Sequence, residues 1–284
     1  MKAPPFAYIK AATLAEVFQL LETHGEGARL LAGGQSLLVT LNLRLSCPEV
    51  LIDITAVPGL SGIKVTDGIV SIGALTTHAE IERSPDIAAS LPMLAMAAPH
   101  IAHVAIRNVG TFGGSIAMAD PAAEWPACCV ALGAEFVIAR KTGCRRVGAR
   151  QFFQGLYTTD IGPTEVLTAV EIPIPARDSR CAFLELTRRR GDYAIVGVAA
   201  MATHVHDIVS DVRLAYLGAG RTPVLAQTAM AAVEGQRLSS WVVEAAARAL
   251  AADLDPSADA CSTPATKMHL ARVLTARALA ALNT

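Results

Sequence analysis

Two short runs of this chain pair glycines with a hydroxyl, and each is suited to hold a phosphate. The first is LLAGGQSLL, residues 30–38, with Gly33, Gly34 and Ser36. The second lies in RNVGTFGGSIAMADPAAE, residues 107–124, where Gly110, Gly113 and Gly114 stand beside Thr111 and Ser115. Glycine lets backbone amides turn toward a ligand and lets that ligand come close. Amides clustered in a turn form an anion-binding concavity. In the first run, residues 30–32 read as the end of a buried strand, Gly33-Gly34 as a tight turn and residues 37–42 as the start of a helix. That order suits a phosphate at the helix N-terminus. Two such loops in one chain can clamp both phosphates of a dinucleotide. Taken singly each is a weak signal, because glycine is the default turn residue. Neither is a GxGxxG or a GxxxxGK[ST].

Other reactive side chains offer less. Cys47, Cys128, Cys129, Cys144, Cys181 and Cys261 form no CxxC pair, so their spacing fits no zinc site, iron–sulfur cluster or disulfide framework. They read as free thiols of a reducing cytoplasm. His204 and His206 lie two apart on a strand pattern without further ligands nearby, and no metal is expected. His100 and His103 read either as neighbours of a ligand or as core and interface histidines. Arg188, Arg189 and Arg190 read as contacts to a cofactor, contacts to an acidic partner, or a solvated face. Trp125 reads as core. No GxSxG elbow is present and the carboxylates show no glycosidase pairing, so no catalytic residue is assigned.

The elements that must position the glycine loops follow from periodicity. Residues 6–9 read as a strand. Thr13, with Glu16 three positions on, reads as a capping box opening a helix whose Leu14, Val17, Phe18 and Leu21 share a face. Gly25 and Gly27 stop it, and 28–32 and 50–54 read as buried strands around the first loop, a small βαβ-like unit. A hairpin follows, with strands 62–65 and 69–72 about a Thr-Asp-Gly turn. Helices are expected at 77–83, 92–98 and 122–132, a second hairpin over 135–139 and 145–147, and a strand at 166–172. Pro173-Ile174-Pro175 marks the best domain boundary. Beyond it come three strands, 181–187, 194–204 and 208–217, and helices near 225–234, 239–252 and 264–282, an α+β arrangement.

Composition narrows the function classes. Of 284 residues, 52% are hydrophobic and only 17% charged, and the formal net charge is −1. No basic field invites nucleic acid. No uncharged apolar run is long enough for a membrane span, and the N-terminus carries no signal-peptide pattern. The low charge leans toward a buried partner interface.

Three motifs in order, AGGQS, the 107–124 run and RRRGDYAIVGVAA at 188–200, carry a resemblance that covers essentially the whole chain. The chain resembles the FAD-binding medium subunit of the molybdenum hydroxylases, the group that includes carbon monoxide dehydrogenase, the flavin part of xanthine dehydrogenase and bacterial N-heteroaromatic dehydrogenases. The resemblance implies an α+β fold: two N-terminal α/β FAD-binding subdomains, about 1–56 and 57–176, and a C-terminal domain, 177–284, with a three-stranded antiparallel sheet and helices. It also implies FAD sites. Ala32, Gly33, Gly34, Gln35, Ser36 and Leu37 match the first FAD loop, and Thr111, Gly113, Gly114 and Ser115 the second. Ile101 matches an apolar residue against the flavin ring. Glu124 and Leu167 match further contacts, and Asp192 and Tyr193 the loop bordering the isoalloxazine.

The implied role is electron transfer. A large subunit carries molybdopterin, a small subunit carries two iron–sulfur clusters, and the FAD subunit passes electrons on to an external acceptor, in a complex expected to be a dimer of three-subunit units. A self-sufficient FAD oxidoreductase of the same fold is the alternative. One position departs from the pattern: relatives carry a lysine close to Glu185, upstream of the arginine run. A cation there favours the reduced anionic ring and a carboxylate opposes it. Either Arg188 or Arg189 replaces that cation, or the flavin has a lower potential.

Overall fold

The computed structural model describes residues 2–283. The chain begins with strand β1 (Ala7–Lys10) and helix α1 (Leu14–His24). The Thr13 hydroxyl accepts the Glu16 amide at 3.2 Å, but the Glu16 carboxylate reaches back to the amide of Ala12, one residue before the expected partner. Val17, Phe18 and Leu21 are buried, and Gly25, at φ +52°, ends the helix. Then come β2 (Ala28–Leu31), α2 (Leu37–Asn42) and β3 (Val50–Asp53). These strands make a parallel sheet ordered β1-β3-β2. The central strand is buried at all four positions, as a parallel strand covered on both faces requires.

The middle of the chain is built on a five-stranded antiparallel sheet. Its hairpin, β4 (Ile63–Thr66) and β5 (Ile69–Gly73), turns on Asp67 and Gly68, both at positive φ. That is the turn chemistry a two-residue hairpin needs. Short helices follow: α3 (His78–Arg83), α4 (Pro85–Ser90), α5 (Pro92–Ala97), α6 (Val104–Arg107), α7 (Phe112–Met118) and α8 (Glu124–Leu132). A second hairpin, β6 (Glu135–Arg140) and β7 (Gly143–Gly148), leads through α9 (Ala149–Phe152), β8 (Phe153–Gly155) and β9 (Thr158–Thr159) to β10 (Val166–Pro173). The sheet order is β4-β5-β10-β6-β7.

The C-terminal sheet departs from expectation in strand number. It has four antiparallel strands, β11 (Ser179–Leu186), β12 (Val196–Val205), β13 (Ile208–Leu217) and β14 (Val224–Leu225), rather than three. The fourth is a two-residue strand that pairs with Ala215 and Tyr216, too short to show alternation in sequence. Both faces of this sheet are covered, and the period-2 geometry of a strand sorts its residues. Ala199, Met201, Ala215 and Leu217 face the central core with Phe112 and Trp125. Val198, Ala200, Leu214 and Tyr216 face α10 (Gln227–Val233), α11 (Ser240–Asp253) and α12 (Pro264–Leu282). No helix among the described residues is long and apolar enough to cross a membrane.

One buried polar pair ties the C-terminal layer together. The Tyr216 hydroxyl lies 2.6 Å from Thr275 Oγ1, which also bonds the Ala271 carbonyl. Because Thr275 keeps that second partner, Tyr216→Phe is expected to cost only about 1 kcal/mol, read as a lower urea midpoint with an unchanged slope.

Candidate functional site

The two glycine loops, far apart in sequence, form one surface. A Cβ on Gly33 would lie 2.2 Å from the Val109 carbonyl oxygen and 2.8 Å from Gly110 Cα. A Cβ on Gly113 would lie 2.5 Å from Ala74 Cβ, and one on Gly114 would lie 2.6 Å from Thr111 Oγ1 and 3.9 Å from Ala32 Cβ. Backbone excludes a side chain at Gly33, Ala74 excludes one at Gly113 and the Thr111 hydroxyl excludes one at Gly114. Gly34 is needed for a second reason, its φ of +69°.

The loops use their amides differently. In the first, Gln35 Nε2 bonds the Gly33 carbonyl, and the carbonyls of Gly34 and Ser36 start α2 by accepting from Leu38 and Thr40. The amides of residues 33–37 have no acceptor among the described residues. Five free amides at a strand-to-helix turn form a cradle for an anion. In the second loop most amides are already engaged. Phe112 N bonds Thr76 O at 2.8 Å, Gly113 N bonds Ala74 O at 2.9 Å, Gly114 N bonds Thr111 Oγ1 at 3.1 Å and Ser115 N bonds Thr111 O at 3.1 Å. The half-buried Ser115 leaves its hydroxyl available at the edge of this loop.

Beneath the second loop lies a buried lock that nothing in the sequence marks. His78 N bonds the Gly110 carbonyl, and a Cβ on Gly110 would lie 2.8 Å from His78 Nε2. Trp125, fully buried as expected of a core residue, donates from Nε1 to His78 Nδ1 at 2.9 Å and sets its ring edge on Phe112, 5.2 Å between centroids. Burial, and secondarily Arg107, push His78 down to about 4, so the ring is neutral with its proton on Nε2. Trp125→Phe keeps the ring but leaves Nδ1 without a donor. The expected cost is about 1–3 kcal/mol, measured as a loss of thermal stability.

A second group of residues gathers around Ile101. Arg107, paired with Glu82 at 2.8 Å, donates to the carbonyls of Ile101 and Ala102 and holds that loop, in which Ala102 has φ +43°. The loop before β12 closes on it: a Cβ on Gly191 would lie 2.5 Å from Ala102 O. Asp192 Oδ1 accepts the Tyr193 amide, and Oδ2 pairs with Arg188 at 3.2 Å and Arg189 at 3.6 Å. These three side chains line an open surface depression. Tyr193 is 68% exposed, with a large aromatic face free. Leu167 is different: its side chain is in the core, and β10 serves the site through the Thr168 carbonyl, which accepts the Ala74 amide behind Gly113.

The charges around the first turn of α8 are acidic. Glu124 is buried at the first turn of α8, and burial, then the charge of Glu185, push its carboxyl up to about 8. Burial also raises Asp120. The partner of Glu185 is His100, Nδ1 to Oε1 at 3.2 Å, while Arg188 and Arg189 are turned to Asp192. Neither arginine forms an ion pair with Glu185. His206 sits at the turn after β12 with φ +58°. Among the described residues no group of three or more His, Cys, Asp or Glu side chains converges as a metal site.

Comparison with known proteins finds matches along nearly the whole chain. A family profile described as "FAD binding domain in molybdopterin dehydrogenase" matches residues 4–175, and one described as "CO dehydrogenase flavoprotein C-terminal domain" matches residues 181–282. The chain is 38% identical to the 6-hydroxypseudooxynicotine dehydrogenase complex subunit alpha of Paenarthrobacter nicotinovorans, over 99% of this chain and 95% of that one. It is 36% identical to the carbon monoxide dehydrogenase medium chain of Hydrogenophaga pseudoflava, over 98% of this chain and 97% of that one. A solved structure of carbon monoxide dehydrogenase from Hydrogenophaga pseudoflava superposes with a TM-score of 0.97 at 38% identity, covering 99% of this chain and 98% of that one.

Proposed function

Because the chain belongs to the FAD-binding medium subunits of the molybdenum hydroxylases, we propose that it is the electron-transfer subunit of such a complex. It receives electrons from the iron–sulfur clusters of a small partner subunit, which a large molybdopterin-bearing subunit supplies, and passes them to an external acceptor. Two such trimers pair in the cytoplasm. Residues 1–176 hold the FAD and residues 177–284 form the C-terminal domain.

The observation that carries this reading is the contact of Gly33 with Val109 and Gly110, which makes one lip of two glycine loops beside the free amides of residues 33–37. Ala32, Gly33, Gly34, Gln35, Ser36 and Leu37 hold the diphosphate from one side. Thr111, Gly113, Gly114 and Ser115 close it from the other, chiefly through the Ser115 hydroxyl. Ile101 and Tyr193 border the ring, Asp192 fixes the Tyr193 amide, Glu124 sets the local charge and Leu167 backs the site. When bound, FAD supplies two-electron and one-electron chemistry. The chain's own work is to bind, orient and tune it. Leu38, Val39, Leu43 and Leu45, exposed on α2 and the turn after it, support a partner-covered face.

The test is purification of the tagged chain from its own cells. Equimolar FAD together with a large molybdenum-containing and a small iron–sulfur partner is the expected result. A FAD-loaded chain that travels alone and turns over a substrate by itself would overturn the electron-transfer reading.

A further inference from the structure

We propose that His78 and Trp125 are positioning residues of the cofactor site: together they set how the second glycine loop meets Gly33. The contact they set is a feature of the structure, while FAD as its ligand rests on the function proposed above. The segment in question, residues 107–111, is gripped by one helix, α3. Thr77, the N-cap of α3, forms an isolated antiparallel bridge with Thr111, and its capping box with Glu80 fixes the start of the helix. His78 N bonds the Gly110 carbonyl at 3.0 Å. Glu82, one turn on and so on the same helix face, pairs with Arg107 at 2.8 Å. Arg83 Nη2 bonds Asn108 Oδ1 at 3.2 Å. Held at both ends, the segment presents the Val109 carbonyl and Gly110 Cα to Gly33.

These anchors are unequal. Water reaches the Arg83–Asn108 bond and part of the Glu82–Arg107 pair, and ion pairs in contact with water contribute little. The inner anchor is dry: His78 is 5% exposed and Trp125 is fully buried. Trp125 Nε1 lies 2.9 Å from His78 Nδ1. An indole N–H can only donate, so Nδ1 must stay bare as the acceptor. That bond fixes the imidazole against Gly110, where a Cβ would lie 2.8 Å from Nε2. The Trp125 ring also sets its edge on Phe112, whose amide bonds the Thr76 carbonyl at 2.8 Å.

Contact therefore runs from Trp125 on α8, through His78 on α3, to Gly110 and on to Gly33. Neither side chain is hydrogen-bonded to residues 33–37, so both act on the first loop through Gly110. Breaking the Trp125–His78 bond leaves a buried donor or acceptor unpaired, and that cost is relieved by movement of the His78 ring. The ring cannot move without freeing Gly110. A lip already held in place spares the ligand the cost of ordering it, which is how preorganisation raises affinity. Coupling of this kind is reciprocal, so FAD must in turn steady the Trp125–His78 bond.

The test joins nuclear magnetic resonance of the full chain to FAD titration. Without FAD, Trp125→Phe and His78→Leu are expected to move the backbone amide signals of Gly33 and Gly34. Tyr216→Phe, which loses a buried bond in the C-terminal layer, leaves them in place. FAD affinity falls about 10-fold in the same two variants and is unchanged in Tyr216→Phe. His78→Asn keeps an acceptor in place of Nδ1 and loses less affinity than His78→Leu. In the wild type, added FAD slows hydrogen exchange of the Trp125 indole proton, told from that of exposed Trp241 by Trp241→Phe. Gly33 and Gly34 signals that neither variant moves, or an affinity that both retain in full, overturns the proposal. A wild-type chain that binds no FAD overturns the FAD reading instead, and the Gly33 and Gly34 signals then decide whether His78 and Trp125 position the loops.

Discussion

Gly33→Val is expected to lower FAD affinity at least about 100-fold, which corresponds to about 2.7 kcal/mol. The first atom of the new side chain would fall 2.2 Å from the Val109 carbonyl oxygen. That oxygen is backbone, so relief requires the two loops to separate rather than a rotamer to change. Overpacking of this kind costs typically about 1–3 kcal/mol in stability. The binding loss is separable from it. FAD raises the unfolding temperature of a chain that binds it, so the wild type should be stabilised by added FAD and the variant should not. Gly59→Ala is the matched control, since nothing lies within 4 Å of its Cβ. It should lose some stability through its φ of +80° and keep its response to FAD. A Gly33→Val chain that binds FAD as tightly as wild type would show that the contact between the loops is not what forms the site.

The second large effect is on stability as a function of pH. The Glu124 carboxyl is raised from 4.5 to about 8 in the folded chain. Its contribution to stability is therefore fully present below 4.5 and is lost as pH rises through 8. His78 is lowered from 6.5 to about 4, so its contribution is fully present above 6.5 and is lost as pH falls through 4. A tenfold change in proton affinity is worth about 1.4 kcal/mol. The Glu124 limb then amounts to roughly 4–5 kcal/mol and the His78 limb to roughly 3 kcal/mol. Thermal unfolding of the FAD-free chain should show its maximum between the two limbs, at about pH 5–6. Glu124→Gln should flatten the alkaline limb and leave the acid one. A melting temperature that climbs steadily to about pH 8 in the wild type would contradict this account of Glu124.

Much of the fold is written locally. Helix α2 has the bounds that the strand–glycine–helix pattern gives it, and the β4–β5 turn follows from Asp67-Gly68 alone. What the sequence hides depends on distance or on very short elements. Helix α7 carries two glycines in its first turn, a composition that reads as loop. It forms because the Thr111 hydroxyl caps the Gly114 amide and because Phe112 and Gly113 are tied to Thr76 and Ala74. Strand β14 is two residues long and exists only through its pairing with β13.

The site divides in the same way. The first glycine loop is legible because its free amides are a property of the turn itself. For the second, the glycine types are legible but their reason is not. Ala74, in the turn after β5, presses on Gly113 and takes its amide, and no local pattern announces that. The His78–Trp125 pair spans 47 positions. The partner of Glu185 depends on how β11 sits against the turn carrying His100, and no local pattern announces that.

The most direct measurement is an experimental structure of the chain with FAD bound. The account predicts the diphosphate between the two loops, bonded to the amides of residues 33–37 on one side and to Ser115 on the other, with the ring running toward Ile101 and Tyr193. A diphosphate that touches only one loop, or lies elsewhere on the chain, would contradict it.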